Sequence, residues 1–75
     1  MPYTGYIESN AGVMLGKPVI KGTRITVALI LRKLSEGATQ QQLLTAYPRL
    51  SAAAISATLA YASDVISGEI EIAVV

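Results

Sequence analysis

Thr26, Thr39 and Ser51 each stand where a helix can start, and the short distances between them leave room only for tight connections. After Thr26 the apolar residues Val27, Ile30, Leu31 and Leu34 recur at the helical period, while Arg32, Lys33 and Glu36 fall mostly off that stripe. Ile25 and Ile30 are spaced as a hydrophobic staple around a Thr26 N-cap, and Gly37 can take the left-handed residue that ends the helix. In TQQQ, Thr39 can accept from the backbone N–H three residues on while Gln42 reaches back, which is the capping-box pattern. Leu43, Leu44 and Tyr47 supply a short buried face, and Pro48 disfavours helix at the residue before it. Ser51 is the third N-cap, with Leu50 and Ile55 as its staple, and the alanines of SAAAISATLAYASDVIS give high helix propensity. The expected helices cover 26–36, 39–47 and 51–67, the last stopped by Gly68 and turning Ile55, Leu59, Ala62 and Ile66 to the core. Tyr61 and Val65, beside the small Ala57 and Thr58, form a further apolar patch that is either a wide core face or a dimer seam.

The flanks read as extended. Residues 5–25 hold YIES, VML, PVI and RI between turn residues Asn10, Gly12, Gly16, Pro18 and Gly22, a pattern for a hairpin or a pair of short strands. The ending EIEIAVV, residues 69–75, alternates charged and apolar residues and then becomes wholly apolar, so a terminal strand is expected. Such a strand must pair within the chain or with another one, which makes Ile70, Ile72 and Val74 candidate partner contacts together with Tyr61 and Val65.

With 75 residues the chain is a single mainly α domain, small enough that one core gives little net stability. Cys and His are both absent, so disulfides and the usual thiolate and imidazole metal ligands are excluded as a supplement. A hydrophobic fraction of 52% is more than one small core can hide, and homo-oligomerisation or a protein partner is expected. No cofactor, no metal and no small-molecule substrate are expected. All six cations, Lys17, Lys21, Arg24, Arg32, Lys33 and Arg49, lie in residues 1–49 against Glu8 and Glu36, a balance of +4; residues 50–75 hold only Asp64, Glu69 and Glu71, a balance of −3. That asymmetry fits a polyanion on one side or chance in a small sample. The start MPYTGYIESN lacks a basic segment followed by an apolar run, and no stretch is long enough to span a membrane, so a cytoplasmic location is expected.

The glycines and cations of GKPVIKGTRITV raise the question of a phosphate loop, and spacing answers it. Gly16 and Gly22 are separated by five residues, the second is followed by Thr23 rather than lysine, and Pro18 removes an N–H donor. Catalysis lacks its common base and nucleophile, and the carboxylates are scattered, so no catalytic residue is expected. The second and third helices, joined by a short turn, match a helix-turn-helix arrangement, in which the later helix lies in the DNA major groove. On that reading Thr39, Gln40 and Arg49 meet phosphates, Lys17, Lys21 and Arg24 add affinity, and Ser51, Ala52, Ala53 and Ser56 face base edges. Alanine can meet a thymine methyl and serine several bases, but bidentate readout by Arg, Asn or Gln is not available there. An ordinary helical hairpin remains the alternative.

These motifs resemble a known family. The run GKPVIKGTRITV, a helix closed by Glu36 and Gly37, and TQQQLLTAYPRLSAAAISATLAYA resemble the small bacterial and archaeal family called domain of unknown function 433, whose members are treated as VapB-type antitoxins. The matching positions are Gly16, Lys17, Pro18, Val19, Ile20, Gly22, Thr23, Arg24, Ile25 and Val27, then Gly37, then Tyr47, Pro48 and Leu50, then Leu59, Ala60, Tyr61 and Ala62, within residues 6–66. The resemblance implies a homeodomain-like helix-turn-helix fold and an antitoxin of a type II toxin-antitoxin pair. Such a protein would cover a small PIN-like ribonuclease toxin and, with it, bind operator DNA as a transcription repressor. The competing expectation is a module that does not bind DNA and only sequesters a partner.

Overall fold

The computed structural model describes residues 3–70. Two short strands come first, β1 (Ile7–Glu8) and β2 (Val19–Ile20), paired antiparallel with Ile7 opposite Ile20 and Glu8 opposite Val19. Three helices follow: α1 (Val27–Ser35), α2 (Gln40–Ala46) and α3 (Ala52–Ile70). The chain is therefore mainly helical with a two-stranded sheet near its N-terminus.

Each helix starts where its cap residue stands. Thr26 Oγ1 accepts from Leu29 N at 3.0 Å. At α2 both halves of the capping box form: Gln42 N donates to Thr39 Oγ1 at 3.1 Å and Thr39 N donates to Gln42 Oε1 at 2.8 Å. Ser51 Oγ accepts from Ala54 N at 3.1 Å. After α1, Gly37 sits at φ 97°, a left-handed conformation that glycine adopts without a Cβ clash, and it turns the chain into α2.

The core joins every element. Ile20, Ile30, Leu43, Leu50, Ala54 and Ile55 are buried against one another, with Ile7, Ile25, Leu34, Leu44 and Tyr47 packed around them. Both expected staples thus reach the core, as do the apolar faces of α1 and α2. Thr58 is wholly buried, and its hydroxyl donates to Ala54 O at 3.0 Å, so the cost of burying it is offset.

Three expectations are corrected. Of the stripe on α3, Leu59 and Ile66 are about half exposed, at 49% each; the buried face is Ala54, Ile55, Ala57 and Thr58. The reasons differ along the helix: Leu59, one residue after wholly buried Thr58, lies at the edge of the buried face, whereas Ile66 lies more than two turns beyond Thr58, the last wholly buried residue of α3. Gly68 does not stop α3, which continues to Ile70. A glycine inside a formed helix costs only about 1 kcal/mol relative to alanine, too little to end a helix that is already propagating. Residues 69 and 70 are consequently helical rather than strand, and the rest of the expected tail strand, with Ile72 and Val74, lies outside the described residues. The third correction concerns VML, expected as extended: Met14–Gly16 is a single tight turn, with Met14 at φ 50° and Leu15 at φ 58°.

Among the described residues no helix is long and apolar enough to cross a membrane.

Candidate nucleic-acid interface

The turn Lys21–Arg24 connects β2 to the extended residues that lead into α1. Ile20 N donates to Ile25 O at 2.9 Å and Thr23 N to Ile20 O at 3.0 Å, which closes the loop into a tight reversal. The Thr23 hydroxyl tightens it further, donating to Ile20 O at 2.8 Å and accepting from Ile25 N at 3.0 Å. Gly22 takes φ 79°, the left-handed region the reversal requires.

Both polar groups of Gly22 are held from outside the turn. Its N–H donates to Glu8 Oε2 at 3.3 Å, and its carbonyl accepts from Arg49 Nη2 at 2.9 Å. Glu8 ends β1, whereas Arg49 lies in the connection between α2 and α3, so the turn is moored to two segments distant in sequence. The consequence is positional. Lys21, Arg24 and Arg49 are brought together at the start of α3, and all three are exposed. Arg24 makes no hydrogen bond or ion pair among the described residues. Its guanidinium, pre-set in the planar fork that suits phosphate, projects from a rigid loop. Glu8 brings one negative charge to the same place and lowers the local balance.

Other candidates lie elsewhere. Lys17 precedes β2 while Lys21 follows it, so the strand separates them by roughly 13 Å at 3.3 Å per residue. Thr39 and Gln40 are exposed at the far end of α2, about 10 Å along its axis from Tyr47. The Thr39 oxygen is already engaged in its cap. At the start of α3, Ser51, Ala52, Ala53 and Ser56 are all exposed, a neutral surface of hydroxyls and methyls beside the three cations. The arrangement offers charged donors to an anionic backbone and small groups to whatever lies next to it.

Of the candidate partner contacts, Tyr61 is half-buried, its ring edge-on to Tyr3 at 5.3 Å and 87°. The Tyr3 hydroxyl donates to Asp64 Oδ2 at 3.0 Å, and that bond, with lesser help from desolvation and the Asp64 charge, holds the phenol above its ordinary range. Val65, by contrast, is 46% exposed. The sequence reading did not find the Glu8–Gly22–Arg49 tie or the Tyr3–Asp64 bond. Neither has a local signal, since the partners are 27 residues apart for Arg49 and Gly22 and 61 apart for Tyr3 and Asp64.

This is a small helical domain whose first helix is entered through a moored basic turn. Over residues 7–62 the chain matches the family described as Protein of unknown function (DUF433), and it belongs to that family. A crystal structure of a DUF433 member protein from Anabaena variabilis ATCC 29413 is similar throughout, with a TM-score of 0.80 and 32% identity over 93% of this chain and 70% of that one. No curated protein matches the sequence.

Proposed function

We propose that the chain is the antitoxin of a type II toxin-antitoxin pair, binding operator DNA as an autorepressor and a PIN-like ribonuclease toxin as its protein partner. On this reading α2 and α3 act as a homeodomain-like helix-turn-helix. Lys21, Arg24 and Arg49 contact phosphates, and Ser51, Ala52, Ala53 and Ser56 lie along base edges. The observation that carries it is the bond from Arg49 to Gly22, because it fixes two basic segments against the exposed first turn of α3. Phosphate contacts of this kind position a protein and supply most of its affinity, while the small side chains of α3 allow only modest sequence preference. The VapB-type role itself rests on the resemblance carried by the GTR core and the YPRL turn.

A mobility-shift assay on the duplex upstream of the chain's own gene tests the proposal. Retardation at about 50 mM salt is expected, weakened for every sequence alike by Lys21→Ala/Arg24→Ala. No binding at that salt, with or without the protein partner, removes the repressor reading. The second reading, a module that only sequesters a partner, draws on the exposed apolar residues of α3. It requires co-purification with the partner that is lost on deleting residues 69–75, and no salt-dependent binding to DNA.

A further inference from the structure

One backbone amide of the basic turn is held differently from its neighbours. Lys21 N donates to Tyr6 O at 2.7 Å, Thr23 N to Ile20 O at 3.0 Å and Ile25 N to Thr23 Oγ1 at 3.0 Å, each to a neutral oxygen. Gly22 N instead donates to a carboxylate, Glu8 Oε2, at 3.3 Å. That is long for a charge-assisted bond, which usually measures about 2.8 Å, so the amide is loosely held. Gly22 is exposed and Glu8 half-buried. Beyond its chain neighbours, only Arg49 Nη2 among the described residues comes within 4 Å of where a Gly22 Cβ would stand, at 3.9 Å. A glycine in that setting leaves the backbone open to close approach by a ligand.

The resident partner shows which chemistry the amide suits. Carboxylate and phosphate oxygens are both anionic acceptors, and the carbonyl of the same residue accepts from Arg49 Nη2 at 2.9 Å, so a guanidinium borders the position. Those two bonds place the Glu8 carboxylate no more than about 10 Å from Arg49, roughly one Debye length at 0.1 M salt. At that range it opposes any anion drawn to the cations of the turn. We infer that the Gly22 N–H is an anion seat, filled by Glu8 in the free chain and taken over by a phosphate in the bound one. Glu8 is then a built-in competitor, which keeps the amide paired until a phosphate arrives and limits the affinity of Lys21, Arg24 and Arg49. Duplex DNA is the favoured source of that phosphate, because three exposed cations are more than a single free ion needs. The choice of duplex rests on the DNA reading proposed above, whereas the seat itself does not.

Two probes test it on the whole chain: a labelled duplex from upstream of the gene, followed by anisotropy at about 50 mM salt, and inorganic phosphate up to about 20 mM at constant ionic strength, enough to fill a millimolar site. Glu8→Gln keeps an acceptor for the amide and removes the charge. Its thermal midpoint is expected unchanged while duplex affinity rises about fivefold, the worth of one like charge at contact distance in water. The Gly22 amide is expected to shift in a proton–nitrogen NMR spectrum when duplex is added to either protein. A residue that only braces the turn gives no such gain. Duplex that binds Glu8→Gln equally or more weakly than wild type, or that leaves the Gly22 amide unmoved, overturns the inference and leaves the DNA reading standing. If neither protein binds duplex, the DNA reading falls and inorganic phosphate decides: a Gly22 amide that titrates with it, more tightly in Glu8→Gln, keeps the seat for the free ion, and one that does not move overturns the seat as well.

Discussion

Gly22 holds the candidate interface together, and its surroundings say what each change would cost. A Cβ added there would meet only Arg49 Nη2, at an ordinary 3.9 Å, so Gly22→Ala is opposed by its φ of 79° rather than by a clash. We expect a loss of about 1 kcal/mol in urea unfolding, the usual cost of a left-handed alanine. Removing the Arg49 tie to the Gly22 carbonyl with Arg49→Ala should cost a further ~0.5–1 kcal/mol, as an exposed hydrogen bond does. Tyr3 adds a pH dependence. Its pKa is raised in the folded chain, so the bond to Asp64 contributes fully below the ordinary phenol range near pH 10. Above that range the unfolded chain loses the proton first, and stability falls as pH rises through the folded value. Asp64→Asn should return one of the four tyrosines to the ordinary range in a phenolate absorbance titration; an unchanged curve would show that the bond does not form in solution.

At the scale of elements, the caps carry most of what could be read ahead of the structure. Thr26, Thr39 and Ser51 act on neighbours three residues away, so their signal is local, and all three helices begin beside them. Thr39→Ala removes the Oγ1 acceptor of the capping box while the residue 39 N–H still reaches Gln42 Oε1, and we expect about 1 kcal/mol of destabilisation in thermal or denaturant unfolding. An effect near zero would mean that tertiary packing alone sets the start of α2. The far end of α3 was not legible for the same reason in reverse. Periodicity marks an apolar stripe through Leu59 and Ile66, but whether a neighbour covers it depends on where the other elements end. The turn at Met14–Gly16 escaped because its sequence, Met-Leu, carries no left-handed preference. Likewise the basic residues were visible as a group, yet only the fold separates Lys17 from Lys21, Arg24 and Arg49.

The whole molecule divides its charge, +4 before residue 50 and −3 after it, and the fold gathers three of the cations beside the start of α3. That arrangement makes a quantitative claim about salt. Phosphate contacts release counterions, so the logarithm of the binding constant falls with the logarithm of salt at a slope of about −0.9 for each contact. If Lys21, Arg24 and Arg49 meet the backbone, the slope is about −3 per bound chain, and Lys21→Ala/Arg24→Ala brings it to about −1. Fluorescence anisotropy with a labelled duplex, across a salt series and with both proteins, measures this directly. A slope near −3 that falls with the double substitution is the predicted result, while undetectable binding at low salt or a slope unmoved by the substitutions would contradict the assignment of the basic turn to DNA.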